Sequence, residues 1–151
     1  MVELPNRRLL SVAWAVEEAT GKTLPTPYAL SNGTGHFGPP GPTGLDAQTA
    51  KIIRLGDGRI FCLYRRHGKP GLWATVARIE EDRWINVEET LVWQGAPSGM
   101  NGNEAIGEEL GALEFGYPSM IELPDGEIFA VFWCLEDHVR NIRWVRIRLR
   151  T

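Results

Sequence analysis

The side chains best suited to chemistry in this 151-residue chain are one tyrosine, several acids and two adjacent arginines. A phenol acts as a nucleophile only where a neighbouring carboxylate takes its proton. Tyr117 follows a loop that carries Glu104 and Glu114, so both acids are candidate proton acceptors. A guanidinium fork grips a carboxylate or a pair of hydroxyls through two parallel hydrogen bonds. Arg65 and Arg66 close the apolar run Ile60 to Tyr64 and have that capacity. Successive strand residues point to opposite faces, so at most one of the two arginines faces a shared site. An ion pair between sheets is the alternative for either. Trp133 offers an indole face to a sugar, and Glu136 can pair with an arginine or with Tyr117, unless Glu136-Asp137-His138 is only a solvated turn. His36, His67 and His138 are scattered, and Cys62 and Cys134 sit alone inside apolar runs. With no Cys-x-x-Cys pair and no histidine at ligand spacing, no metal or cofactor is expected, and the cysteines read as small buried hydrophobes.

These residues must be positioned by short strands. Three segments align without gaps: Val2 to Ala15, Ile53 to Arg66 and Ile121 to Cys134, with Leu4, Leu55 and Leu123 in correspondence. Each is a β-hairpin in which a branched residue, a charge and a leucine lead into a turn and then an apolar run. Asp57-Gly58 and Asp125-Gly126 are two-residue turn signals, and Asn6-Arg7 is a weaker version. The runs after the turns are short and rich in Ile, Val, Phe and Trp, as in strands buried on both faces. Leu72 to Ile79 and Ile85 to Trp93 complete a four-stranded unit. Asn141 to Arg150 alternates with a slip at Trp144-Val145, which predicts a bulge, and Arg146, Arg148 and Arg150 share a solvated face. The organisation is a single all-β domain: an incomplete hairpin over 1–20, a long loop over 21–46 with at most short strands, and a four-stranded unit over 47–94. A second loop over 95–116, with at most one helical turn near 107–112, leads to closing strands over 117–151.

Hairpin geometry sorts the candidates to one end. Tyr117 and the region from Trp133 to His138 lie opposite the Asp125-Gly126 turn, and Thr49 and Arg65 take the corresponding places one repeat earlier. Both long loops open onto this end. One rim therefore collects Gln48, Thr49, Arg65, Arg66, Tyr117, Trp133 and Glu136, with Asp46, Glu104 and Glu114 nearby. From the residues alone, catalysis, lining a ligand site and packing all stay open for Tyr117. A formal net charge of -3 gives no general attraction to nucleic acid or to an anionic membrane. No apolar run approaches the roughly 20 residues of a spanning helix.

Phe115 to Trp133 followed by Asn141 to Leu149 resembles the closing blade of the sialidase-like superfamily with BNR (Asp-box) repeats, where a Tyr-Pro-Ser segment leads into a Leu-Pro-Asp-Gly hairpin. Asp57 to Arg66 with Gly71 to Ala77 is similar to the preceding blade. The resemblance implies a six-bladed β-propeller, of which this chain supplies about two four-stranded antiparallel blades and part of another. It places Tyr117 at the position of the family's nucleophile, beside a glutamate, and implies an arginine grip on a substrate carboxylate. The function implied is that of a glycoside hydrolase acting on sialosides or related acidic glycosides. Two departures weigh against an intact site. The pattern S-x-D-x-G-x-T-W, anchored on Trp84, keeps only its tryptophan, and no Arg-Ile-Pro motif is present. The alternative is a non-catalytic carbohydrate- or protein-binding propeller. So short an array leaves two blade faces open, so either the remaining blades of a parent chain or self-association is expected to cover them.

Overall fold

The computed structural model describes residues 1–66, 68–95 and 112–150, with the side chains of Asn6 and Tyr117 outside that description. The expected helical turn near 107–112 falls outside the described residues, Ala112 apart. The first 42 residues supply six short strands: β1 (Val2–Glu3), β2 (Leu9–Val12), β3 (Ala15–Val16), β4 (Thr23–Leu24), β5 (Pro27–Leu30) and β6 (Gly41–Pro42). Longer strands follow: β7 (Ala47–Arg54), β8 (Ile60–Arg66), β9 (Leu72–Glu80), β10 (Arg83–Trp93), β11 (Phe115–Glu122), β12 (Ile128–Glu136) and β13 (Val139–Ile147). The fold is all-β and antiparallel. Sheet one has the order β1-β2-β5-β6, sheet two β10-β9-β8-β7 and sheet three β11-β12-β13, while β3 and β4 form a small ribbon. Strands β5 and β6 come from the loop expected over 21–46, so the first hairpin becomes part of a four-stranded sheet.

The repeat survives residue for residue. Val2 pairs with Leu10, Ile53 with Phe61 and Ile121 with Phe129, in the same register. The next strands keep the correspondence: Leu10 pairs with Leu30, Phe61 with Val76 and Phe129 with Arg146. Among the described residues, sheet three has no counterpart of β6 and β10, and β13 is its outer edge.

The turns differ from the expected two-residue loops. Leu55 donates its N–H to the Arg59 carbonyl at 2.8 Å and Gly58 donates to the Leu55 carbonyl at 2.9 Å. Only Gly58 lies left-handed, at φ +89°. The Asp57 carboxylate instead accepts the Arg59 N–H at 3.0 Å, which makes a three-residue loop ending in the left-handed position. Leu123 to Glu127 repeats the pattern with Gly126 at φ +80°, and Leu4 to Arg8 repeats the outer bond with Arg7 at φ +60°.

Strand β8 is buried on both faces because sheet two lies between the other two. On one side Leu10, Val12, Tyr28 and Leu30 of sheet one pack on Ile60, Cys62 and Tyr64. On the other side Phe61, Leu63, Ala74 and Val76 pack on Phe115, Ile128, Ala130 and Phe132. Each fully buried phenylalanine contributes about 1.5–3 kcal/mol relative to exposure, and Phe61, Phe115 and Phe132 all qualify. The first strands of the three sheets, β1, β7 and β11, run beside one another. Cys62 and Cys134 are free and buried.

The bulge expected at Trp144-Val145 is absent. Pairing of β12 with β13 runs without a break from Ile128 and Ile147 to Glu136 and Val139. The pattern slips because both faces of β13 carry apolar residues. Val145 and Ile147 pack on the core, whereas Ile142 and Trp144 point outward and are 71% and 63% exposed.

Candidate ligand-binding rim

Bulges shape the rim at the same place in two repeats. The register of β7 shifts between Gln48 and Lys51, and that of β11 between Gly116 and Ser119. Thr49 lies in the first bulge with φ +50°, and Tyr117 holds the equivalent place in β11. A bulge leaves one residue out of the ladder and re-aims its neighbours. In β7 it frees the Thr49 hydroxyl to accept from the Arg65 guanidinium.

Arg65 is 1% exposed and bridges two sheets. Its Nη2 donates to Thr49 Oγ1 at 2.8 Å and its Nη1 donates to the Phe115 carbonyl at 3.0 Å. Gly116 makes room for it, since a methyl group built there would overlap Nη1 and stand 3.2 Å from Cζ. Gln48, beside it in the ladder, is 0% exposed. Both residues therefore sit under the rim rather than on it, and Arg65 ties β7 and β8 to the start of β11.

Arg66 points to the opposite face, as the alternation of a strand requires. Its Nη1 forms an ion pair with Glu89, and its guanidinium carbon stands 5.3 Å from the Trp73 ring centre. Lys69 approaches the same ring at 5.4 Å. The other oxygen of Glu89 accepts from the Tyr64 hydroxyl, which also meets Thr75 Oγ1 at 2.8 Å. Burial, reinforced by the Glu89 carboxylate, pushes the Tyr64 phenol far above its ordinary range. It keeps its proton and serves as a donor that fixes Glu89 for Arg66. Sequence reasoning missed this cluster. Tyr64 reads as the last residue of an apolar run and Glu89 as one acid among several on an exposed strand.

The third sheet supplies the open part of the rim. Glu136 pairs with Arg143 at 2.7 Å, and Arg140 stands 5.7 Å from the Trp133 ring centre. The Leu135 N–H donates to the Glu114 carbonyl at 2.6 Å, which brings Glu114 against the end of β12. Burial, with help from Glu136, raises the Cys134 thiol. Asp46 is exposed just before β7. Below the rim, a cleft of about 420 Å3 opens between the first strands, bordered by Met1, Ala50, Lys51, Ser119 and Met120.

The structure thus brings Thr49, Arg65, Glu114, the Tyr117 backbone, Trp133 and Glu136 to one end, where Arg66 turns its side chain to the opposite face of sheet two. Glu104 and His67 lie outside the described residues, as does the Tyr117 side chain. His36 and His138 are exposed. Compared with protein-family models, with curated proteins and with solved structures, the chain gives no match.

Proposed function

We propose that this chain is part of a β-propeller that binds a carbohydrate without cleaving it, at the end where β7 and β11 begin. Sheets stacked in one register with their first strands together support the propeller reading. The observation that carries the non-catalytic reading is Arg65. The guanidinium best placed in sequence to hold a sugar carboxylate is buried, and it donates to Phe115 and Thr49 instead. Among the described residues, the groups open to solvent at this end include Asp46, the half-buried Glu114 and Trp133, and Glu136 with its partner Arg143. Such a set suits hydroxyl-rich ligands. The test is a glycan array run with the intact chain, followed by product analysis of each sugar bound. Binding with no hydrolysis is the expected result. Hydrolysis, or a blank array at high protein concentration, overturns it.

The sialidase-like hydrolase is the second reading. One observation favours it: the backbone of Tyr117 lies in the β11 bulge, at the end shared with Glu114 and Glu136. Turnover of a sialoside that disappears in Tyr117→Phe would establish this reading in place of the first.

A further inference from the structure

The two open faces of the stack are complementary halves of one repeating interface. In both interfaces inside the chain, the face holding the second residue of the apolar run meets the face holding the first. Leu10 and Val12 of sheet one therefore meet Ile60, Cys62 and Tyr64 of sheet two. One repeat later, Phe61 and Leu63 of sheet two meet Ile128, Ala130 and Phe132 of sheet three.

Continuing the register, Phe129 and Val131 stand in the places of Phe61 and Leu63, but no other sheet among the described residues covers them. Their cross-strand partners widen the same face. Ile121 pairs with Phe129, Trp144 with Val131 and Ile142 with Trp133. Ile121, Ile142 and Trp144 are 58%, 71% and 63% exposed. The Phe129 and Trp144 rings meet at 5.8 Å, so they form a contiguous apolar surface. An apolar area of this kind marks an interaction site.

At the other end of the stack the matching half is likewise without a covering sheet among the described residues, although Leu9, Ser11 and Ala29 are half-buried. Leu9, Ser11 and Ala13 of sheet one occupy the places of Ile60, Cys62 and Tyr64, and Ala29 lies beside Ser11. None of them packs on another sheet, and Ala13 is exposed. This face is small and flat where the opposite one carries bulky Phe129, Ile142 and Trp144.

We infer that a second copy of this chain docks head to tail, with its Leu9–Ser11–Ala13 face covering the Phe129–Ile142–Trp144 face of the first. The occupant follows from the chain's own packing rule. Both internal interfaces join unlike faces, and the two faces of the three main sheets that no described sheet covers are one of each kind. A head-to-tail interface leaves a free half at each end of any open assembly, so copies add until a ring closes or a filament grows.

The experiment is sedimentation velocity of the full chain across a wide concentration range, with two exposed-site variants. The wild-type chain is expected to shift from monomer to larger species as concentration rises. Trp144→Glu and Ala13→Arg should each abolish that shift while leaving the circular dichroism spectrum and melting temperature unchanged. Mixing the two variants should restore a species limited to two copies, because each retains the half that the other lacks. A wild-type monomer throughout overturns the inference, and so does association that survives either substitution. Failure of the mixed variants to pair overturns it as well, since that outcome signals contact between like faces.

Discussion

If Arg65 is a tie between sheets, part of the cost of replacing Gly116 must depend on the arginine, beyond the backbone strain that its φ of +158° imposes on any side chain. In Gly116→Ala the new methyl overlaps Nη1 and crowds Cζ, so the guanidinium must move away from β11. That movement breaks the 3.0 Å bond to the Phe115 carbonyl. A hydrogen bond from a charged donor contributes about 1.5–3 kcal/mol, which sets the part of the loss that depends on Arg65. Arg65→Met removes this bond and the 2.8 Å bond to Thr49. It also relieves the burial of a charge, which offsets part of that loss. In the double variant Gly116→Ala has no guanidinium left to displace, and only the backbone strain remains. The two losses should fall short of additivity by about 1.5–3 kcal/mol, far beyond the roughly 0.5 kcal/mol scatter of independent sites. Urea unfolding of the four proteins, followed by tryptophan fluorescence, measures the cycle. Additive losses would refute the tie.

Two further outcomes follow from the turns and the buried phenol. Arg7, Gly58 and Gly126 hold the same left-handed place in the repeat, so Gly58→Ala should cost about 1 kcal/mol and Arg7→Gly should gain a similar amount. Equal and opposite shifts in the urea midpoint would bear this out, and a destabilised Arg7→Gly would contradict it. Tyr64 and Cys62 both hold their protons more tightly folded than unfolded, chiefly through burial. Their stabilisation is therefore complete below the unfolded thiol value near 8.5. It declines as pH rises past that value and then past the unfolded phenol value near 10. Urea midpoints should fall between pH 8 and 11 and fall less steeply in a Cys62→Ala, Tyr64→Phe variant. A flat wild-type profile would argue against the burial of both groups.

Much of the fold is legible in the sequence because a strand writes its environment at a period of two. The run from Ile60 to Tyr64 shows no alternation, which identifies a strand covered on both sides before any neighbour is known. The three hairpins are legible because their turns repeat. The turn geometry is not, since Asp57 can either enter the left-handed region or use its carboxylate on the Arg59 N–H, and that choice depends on a local hydrogen bond. Nor are β5 and β6, whose strand character comes from pairing with β2 and with each other rather than from their own composition.

The rim shows the same limit more sharply. Residues 14, 65 and 133 hold one position in the repeat, and they are Trp, Arg and Trp. The arginine and Trp133 both read as chemical, yet the arginine's position had already assigned it to a packing face, on the side where Phe61 and Leu63 meet the next sheet. A guanidinium there must find acceptors within the sheets, and the bulged Thr49 and the Phe115 carbonyl supply them. Trp133 occupies the equivalent place on the face that no described sheet covers, beside exposed Ile142. Its role thus depends on what covers that face. If a second copy packs there, Trp133 becomes an inter-sheet residue like Arg65, and ligand recognition at this end falls to Asp46, Glu114 and Glu136.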